Sequence, residues 1–419
     1  MKQSNFFIKT LRQAPADETS ISAQLLLRGG YVDKLMAGVY TYLPLGLRVL
    51  SNIEKVVREE MNDVGGNELL LPALHPREIW EETGRWADMK DIMYQFKGRG
   101  GQDFCLGTTH EEPIVAMLRN KVQSYKDLPL ALYQIQDKFR NEPRAKSGVL
   151  RGREFLMKDM YSFHTITEDL NKYYETVKQA YMRIYKRLGL DALVVEASGG
   201  TFSKEFSHEF QVLTPGGEDT IFHCPTCAWA QNKEVAKVKE GDKCPACGKD
   251  KIVVDKGIEV GNIFKLNEKY SKAMKLVFMD EQGKQQFVQM GCYGMGISRL
   301  LGSIVEVNHD DNGIIWPPSV SPFSVHLLLL NESQASRQLA TDTYEILQAA
   351  NIGEVLYDDR KDISAGIKLA EADLLGISIR LVVSDKNNGL LEYKLRNQSA
   401  VQNLTADDAL KKVKDYYNV

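Results

Sequence analysis

The segment that most restricts the folds open to this chain alternates arginine with glutamate across a turn. It reads Phe139-Arg140-Asn141-Glu142, then Arg151-Gly152-Arg153-Glu154-Phe155. Strand-like runs flank it at 130–136 and 154–157. A later piece, Gly294-Met295-Gly296-Ile297-Ser298-Arg299, brings one more arginine near the start of an apolar helix. Several fixed guanidiniums reaching one place suit a nucleoside triphosphate and the charge that develops as it reacts. The chain has no GxxxxGK[ST] loop and no GxGxxG turn after a strand. A phosphate site here is therefore arginine-built, which argues against a P-loop or Rossmann architecture.

At 419 residues, two or three domains are expected, and 43% hydrophobic content supplies their cores. A net charge of −3 argues against a nonspecific nucleic-acid coat but permits a structured RNA read by local patches. Residues 134–158 form such a patch, with seven Lys/Arg against three Asp/Glu. The last hundred residues carry 11 Lys/Arg against 14 Asp/Glu, so RNA binding there has to rest on specific contacts. No apolar stretch is long enough to span a membrane, and Met1-Lys2-Gln3-Ser4-Asn5 begins no signal-type apolar run, so a cytoplasmic chain is expected.

Leu50, Ile53, Val57, Met61 and Val64 recur at helical spacing over 46–64, and Gly65-Gly66 ends the helix. A strand over 68–71 stops at Pro72. This pair fits a dimer element or an ordinary core helix. A second helix is expected over 168–188, then the glycine-marked turn Ser198-Gly199-Gly200-Thr201. Strand patterns return at 259–266 and 285–290. A glycine turn and helix follow over 291–307, with Ile297, Leu300, Leu301 and Ile304 as its buried stripe and Arg299 off it. Pro317-Pro318 and Pro322 mark a linker. Beyond it come strand 325–330, helix 333–350, strand 355–357, helix 364–375, strands 377–383 and 391–396, and helix 406–417, a compact α/β pattern.

Four of the six cysteines form two CxxC pairs, Cys224/Cys227 and Cys244/Cys247, sixteen residues apart. Two thiolate pairs so spaced suit a structural tetrahedral zinc in a ribbon of two knuckles; a disulfide or a metal-free module is the alternative. Thr109 and Glu111 offer a hydroxyl and a carboxylate two residues apart, able to hold an ammonium or merely to cap a helix before Pro113. His208, between Ser207 and Glu209, fits a ligand contact or a satisfied core histidine. Cys292 fits a small buried residue, and Asp358-Asp359-Arg360 a solvated charge run.

Taken together, these pieces resemble class II aminoacyl-tRNA synthetases, specifically the bacterial-type prolyl-tRNA synthetases, over nearly the whole chain. The helix and strand ending at Pro72 resemble the first class motif, Phe139–Phe155 the second, and Gly294–Arg299 the third. Thr109-His110-Glu111-Glu112, Ser207-His208-Glu209-Phe210 and Gly291-Cys292-Tyr293-Gly294 resemble the family's amino-acid pocket.

The resemblance implies an α/β (α+β) fold: an antiparallel catalytic sheet with flanking helices, a small zinc-ribbon-like insertion, and a C-terminal α/β anticodon-binding domain. The implied boundaries are 1–221 and 257–320 for the core, 222–256 for the insertion and 321–419 for the last domain. The implied activity is ATP-dependent activation of L-proline and transfer to tRNA(Pro) by a homodimer. Arg140 would bridge the α-phosphate and the proline carboxylate, Glu142 would meet the adenine amino group, and Phe155 would stack on adenine. Arg299 would hold the γ-phosphate or cap the other face of the adenine ring, and Arg151 would contact the bent triphosphate. Thr109 and Glu111 would take the proline ammonium, with His208 and Cys292 at the ring. Mg²⁺ would balance the phosphates, and Zn²⁺ would sit on Cys224, Cys227, Cys244 and Cys247.

Two departures stand out. Most members carry a large editing domain where this chain has only the cysteine module, so mischarged alanyl-tRNA would fall to a separate deacylase or be tolerated. The loop Arg144-Ala145-Lys146-Ser147-Gly148 also differs from the usual Pro-Arg-Phe-Gly type. A threonine-specific synthetase, a silent RNA-binding relative and an adenylating ligase acting on a carrier protein are the competing readings.

Overall fold

The computed structural model describes residues 1–145, 147–200, 202, 205–350 and 352–418. Lys146 of the loop above and Thr201 of the glycine-marked turn lie outside them. The chain forms two compact units: Met36–Val39 with Glu54–Ser303, and Met1–Leu35 with Tyr40–Ile53 and Ile304–Val419.

Helix α1 spans Pro44–Asp63, and Leu50, Ile53, Val57 and Met61 of its stripe are buried. The strand expected at 68–71 is only β1, Asn67–Glu68, parallel to β2, Leu130–Phe139. It ends early because the Leu71 backbone N–H donates to the Gln134 side chain at 2.9 Å, not to a ladder carbonyl. Strands β3 (Glu154–His164), β4 (Ala192–Ala197), β5 (Ser207–Leu213), β6 (Asp219–His223), β7 (Ala230–Asn232), β8 (Val253–Asn267) and β9 (Gln289–Gly296) complete a nine-stranded sheet. Its order is β5-β4-β7-β6-β8-β9-β3-β2-β1, with β5 also paired to β8. Apart from β1–β2 and β4–β7, the pairings are antiparallel.

The 15-residue β8 forks this sheet. Its first five residues, Val253–Gly257, pair with β6, its middle with β5 and its end with β9. The cysteine module is thus rooted in the sheet through β6, β7 and the start of β8. Helix α2 (Glu111–Leu118) precedes β2, and α3 (Thr167–Arg187) covers one face of the sheet. Leu170, Tyr174, Val177, Tyr181 and Ile184 of α3 are buried at helical spacing; Glu168 and Asp169 begin the helix and Lys186 and Arg187 end it, complementing its dipole. Helix α4 (Ile297–Val307) leaves β9 directly.

In the other unit, β10 (Val325–Leu329), α5 (Gln334–Ala349), β11 (Val355–Asp358), α6 (Ala365–Leu375), β12 (Ile379–Val383), β13 (Leu391–Leu395), β14 (Val401–Leu404) and α7 (Ala406–Tyr417) follow the expected alternation. The five strands run β11-β10-β12-β13-β14, parallel on one side of β12 and antiparallel on the other. Strand β14 was not legible in the sequence: it is an edge strand with no buried face, so no apolar alternation marks it. Gly376 ends α6 at φ +75°, and a Cβ there would lie 2.2 Å from the Ile314 carbonyl oxygen, so only glycine fits.

Candidate active site

A cavity of about 230 Å³ opens on the sheet face away from α3. Period-two alternation builds it. Phe155, Met157 and Asp159 of β3 line it, whereas Lys158, between them, points to α3 and donates to the Tyr181 hydroxyl at 2.5 Å. Cys292, Gly294 and Gly296 of β9 alternate the same way, and Arg299 follows on the first turn of α4. Arg140, Glu142, Arg151, Thr109 and Glu111 also line it, so the structure brings together every expected substrate residue except His208.

At one end, Glu111 begins α2 and is fully buried. Its carboxylate accepts from the Thr109 hydroxyl at 2.7 Å and from the Cys292 thiol at 3.2 Å. Burial, then the Glu111 charge, pushes the Cys292 thiol well above its ordinary range, which makes it a donor and not a nucleophile. Behind Glu111 lies a residue that sequence reading missed. Arg85 Nη1 bridges Glu111 Oε2 at 3.1 Å and Glu112 Oε2 at 3.0 Å. Its guanidinium sits 5.0 Å from the Phe202 ring centroid and 5.2 Å from that of Trp80. Burial, offset in part by Arg85, raises Glu112 to about 7.

At the other end, the three arginines differ. Arg151 is paired with Glu142 at 3.0 Å and Glu218 at 2.7 Å. Arg299 donates to the Leu150 carbonyl at 2.9 Å and to the Glu259 carboxylate at 3.1 Å. Arg140 has no ion pair or side-chain hydrogen bond among the described residues; its guanidinium lies 5.2 Å from the Phe155 ring centroid. Burial and then the Arg299 charge lower its pKa.

His208 does not line the cavity. It and Phe210 point to α3, where His208 Nδ1 meets the Tyr174 hydroxyl at 2.7 Å and Phe210 packs on Tyr181. The other phase of β5 faces inward. Glu209 accepts from Gln211 at 3.0 Å and Asn232 at 3.1 Å, and burial, then Glu259, raises it to about 7. Asn262 of β8 donates to Glu209 at 3.4 Å, and it and Glu259 line the cavity. The signal for all three was the polar phase of otherwise apolar strands.

The four module thiols lie within 4.8 Å of one another, with Cys224–Cys247 at 3.8 Å and Cys227–Cys244 at 3.6 Å. Zn–S bonds of about 2.3 Å in a tetrahedron give sulfur separations of about 3.8 Å, so the donor set fits zinc.

The family model "tRNA synthetase class II core domain (G, H, P, S and T)" matches residues 94–308, and "Anticodon binding domain" matches 324–416. A proline–tRNA ligase of Sulfurihydrogenibium sp. (strain YO3AOP1) is 35% identical over 566 positions, covering 100% of both chains. One of Geobacillus sp. (strain WCH70) is 36% identical over 561, covering 98% of each. Both alignments are longer than the 419 residues here, so these relatives carry a large insertion that this chain lacks. In fold, the chain resembles the Cryptosporidium parvum prolyl-tRNA synthetase complexed with L-proline and AMP, at TM-score 0.77 and 15% identity over 95% of this chain and 74% of that one. The chain belongs to the proline–tRNA ligase family of class II aminoacyl-tRNA synthetases.

Proposed function

We propose that this cavity joins L-proline to ATP and passes the prolyl group to tRNA(Pro), with the residues above in distinct roles. The observation that carries the reading is one cavity holding a buried carboxylate with two aligned partners, Glu111 with Thr109 and Cys292, and an unpaired guanidinium, Arg140. The first suits a secondary ammonium with two N–H donors. The second suits the proline carboxylate and the α-phosphate together.

A carboxylate oxygen of proline attacks the α-phosphorus; the bond from that phosphorus to the β-bridging oxygen breaks, and pyrophosphate leaves with the electron pair. A hydroxyl of the terminal adenosine of tRNA then attacks the acyl carbon, and AMP leaves. The protein positions the reactants and stabilises charge. Arg140 holds both reacting groups, Phe155 stacks on adenine, Glu142 accepts from its amino group, and Arg299 and Arg151 meet the outer phosphates. Mg²⁺ would balance the charge of the triphosphate. His208 receives no substrate contact; it orients Tyr174 behind the sheet.

The reading includes a homodimer, a cytoplasmic location and no editing in cis. No helix among the described residues is long and apolar enough to cross a membrane. The test is ATP–pyrophosphate exchange with each of the twenty amino acids. Proline should give the strongest exchange and alanine a weaker signal, because a smaller side chain loses only about 1–3 kcal/mol in such a pocket. Alanyl-tRNA should persist with this enzyme alone and disappear only when a separate deacylase is added. Strongest exchange with threonine, or none at all, would refute the reading.

The cysteine module is proposed as a structural zinc site with all four positions filled by protein. Metal analysis should return one zinc per chain, and Cys227→Ser should lower that sharply. Proline-dependent exchange should stay within a few-fold of wild type, since no module sulfur lines the cavity. Zinc-free protein with intact near-ultraviolet signals would refute it.

A further inference from the structure

The second knuckle of the cysteine module is a hairpin. Gly241 N–H donates to the Ile252 carbonyl at 2.9 Å and Cys244 N–H to the Asp250 carbonyl at 2.8 Å. Between these bonds Lys243 pairs antiparallel with Lys251. Directly opposed residues hold their Cβ atoms about 5 Å apart on one side of the ribbon, and like charges so placed repel. Both lysines are exposed, and neither forms an ion pair among the described residues.

The two acids that flank these lysines in sequence, Asp242 and Asp250, make local hydrogen bonds and no ion pair with them. Asp250 accepts from the Thr226 hydroxyl and from the Lys251 backbone, and Asp242 from the Lys239 backbone. Lys233, Lys237, Lys239 and Lys249 add further exposed ammonium groups to the module. A cross-strand lysine pair is a cost to the fold that an anion would lower.

Position says which anion. The strand leaving Lys251 runs into β8, which delivers Glu259 and Asn262 to the cavity. Eight residues of extended chain separate Lys251 from Glu259, about 26 Å at ~3.3 Å each. The reacting end of a nucleic acid in the cavity would therefore place its following backbone within reach of the hairpin. Duplex RNA is met by proteins mainly through phosphates and shape. Lysines, as point charges, suit phosphate and carry no sequence preference.

We propose that Lys243 and Lys251 grip backbone phosphates of the tRNA acceptor arm while its 3′ end occupies the cavity. This rests on the aminoacylation reading above, and it gives the cysteine module a role in RNA positioning.

The test uses the full-length holoenzyme and a tRNA(Pro) transcript, comparing wild type, Lys243→Gln/Lys251→Gln and Lys243→Arg/Lys251→Arg. Proline-dependent pyrophosphate exchange, which needs no tRNA, should be the same in all three. In aminoacylation the Gln pair should raise the KM for tRNA about tenfold at low salt. It should also flatten the plot of log KM against log salt by about 2, roughly 0.9 per phosphate contact. The Arg pair should behave as wild type. An unchanged tRNA KM and salt slope in the Gln pair, with exchange intact, would overturn the proposal and leave the lysines to a protein partner or to solvent. Absent exchange in wild type would instead sink the underlying activity, so the two failures are distinguishable.

Discussion

Arg140→Ala should lower the rate of proline-dependent ATP–pyrophosphate exchange by roughly 10²–10³ while changing the KM for ATP only modestly. The reason lies in how the cavity spends its three arginines. Arg299 and Arg151 are already neutralised by Glu259, Glu142 and Glu218, so part of their charge is committed before any nucleotide arrives. Arg140 alone faces the cavity with no carboxylate partner among the described residues, and burial beside Arg299 lowers its pKa. A guanidinium held this way gains most when negative charge develops between the attacking carboxylate and the leaving pyrophosphate, which is a transition-state gain. Arg140→Lys should recover little, because a single ammonium cannot bridge two oxyanions bidentately. Arg299→Lys should be milder than Arg140→Lys. Exchange by Arg140→Ala above about a tenth of the wild-type rate would remove Arg140 from the centre of the mechanism.

The cavity was readable where chemistry and strand neighbours coincide. Arg140, Phe155, Cys292 and Arg299 stand on or beside β2, β3 and β9, which are adjacent in the sheet, so motifs far apart in sequence meet through simple pairing. His208 lies outside the cavity lining for a physical reason. Ser207-His208-Glu209-Phe210 places a polar residue in both phases of the strand, and only the packing of α3 decides which phase faces the cavity. Tyr174, 34 residues away in sequence, captures the histidine, and Glu209 is left on the opposite side of the strand, bonded to Asn232.

Arg85 was unreadable for a different reason. Nothing local distinguishes Gly84-Arg85-Trp86 from a surface turn; its meaning comes from Glu111 and Glu112, which begin a helix 26 residues later. The cysteine spacing was legible as a module, but its continuity with the sheet was not. That continuity depends on β8 running 15 residues through what composition reads as a boundary.

Glu111→Gln should raise the KM for proline by roughly 10²–10³, the cost of breaking a buried charge pairing of about 3–5 kcal/mol, with the KM for ATP nearly unchanged. Glutamine keeps the shape and one acceptor for Thr109 or Cys292 but offers no charge to the substrate ammonium. It also leaves Arg85 to Glu112 alone. The neighbouring acid makes this site pH-sensitive in a defined direction. Burial raises Glu112 from 4.5 to about 7, so the folded chain keeps a proton there that the unfolded chain releases. Its contribution to stability is full below about 4.5 and is lost as pH rises through about 7. The effect on substrate runs the other way. Once ionised, Glu112 takes more of the Arg85 charge and leaves Glu111 more negative toward the ammonium. The wild-type KM for proline should therefore fall a few-fold as pH rises from about 6 to about 8, and by linkage bound proline should draw the proton from Glu112. Glu112→Gln should flatten that profile while keeping exchange. A profile of unchanged slope in Glu112→Gln would assign the pH dependence to another group, and Glu209, also raised to about 7, would be the next to replace.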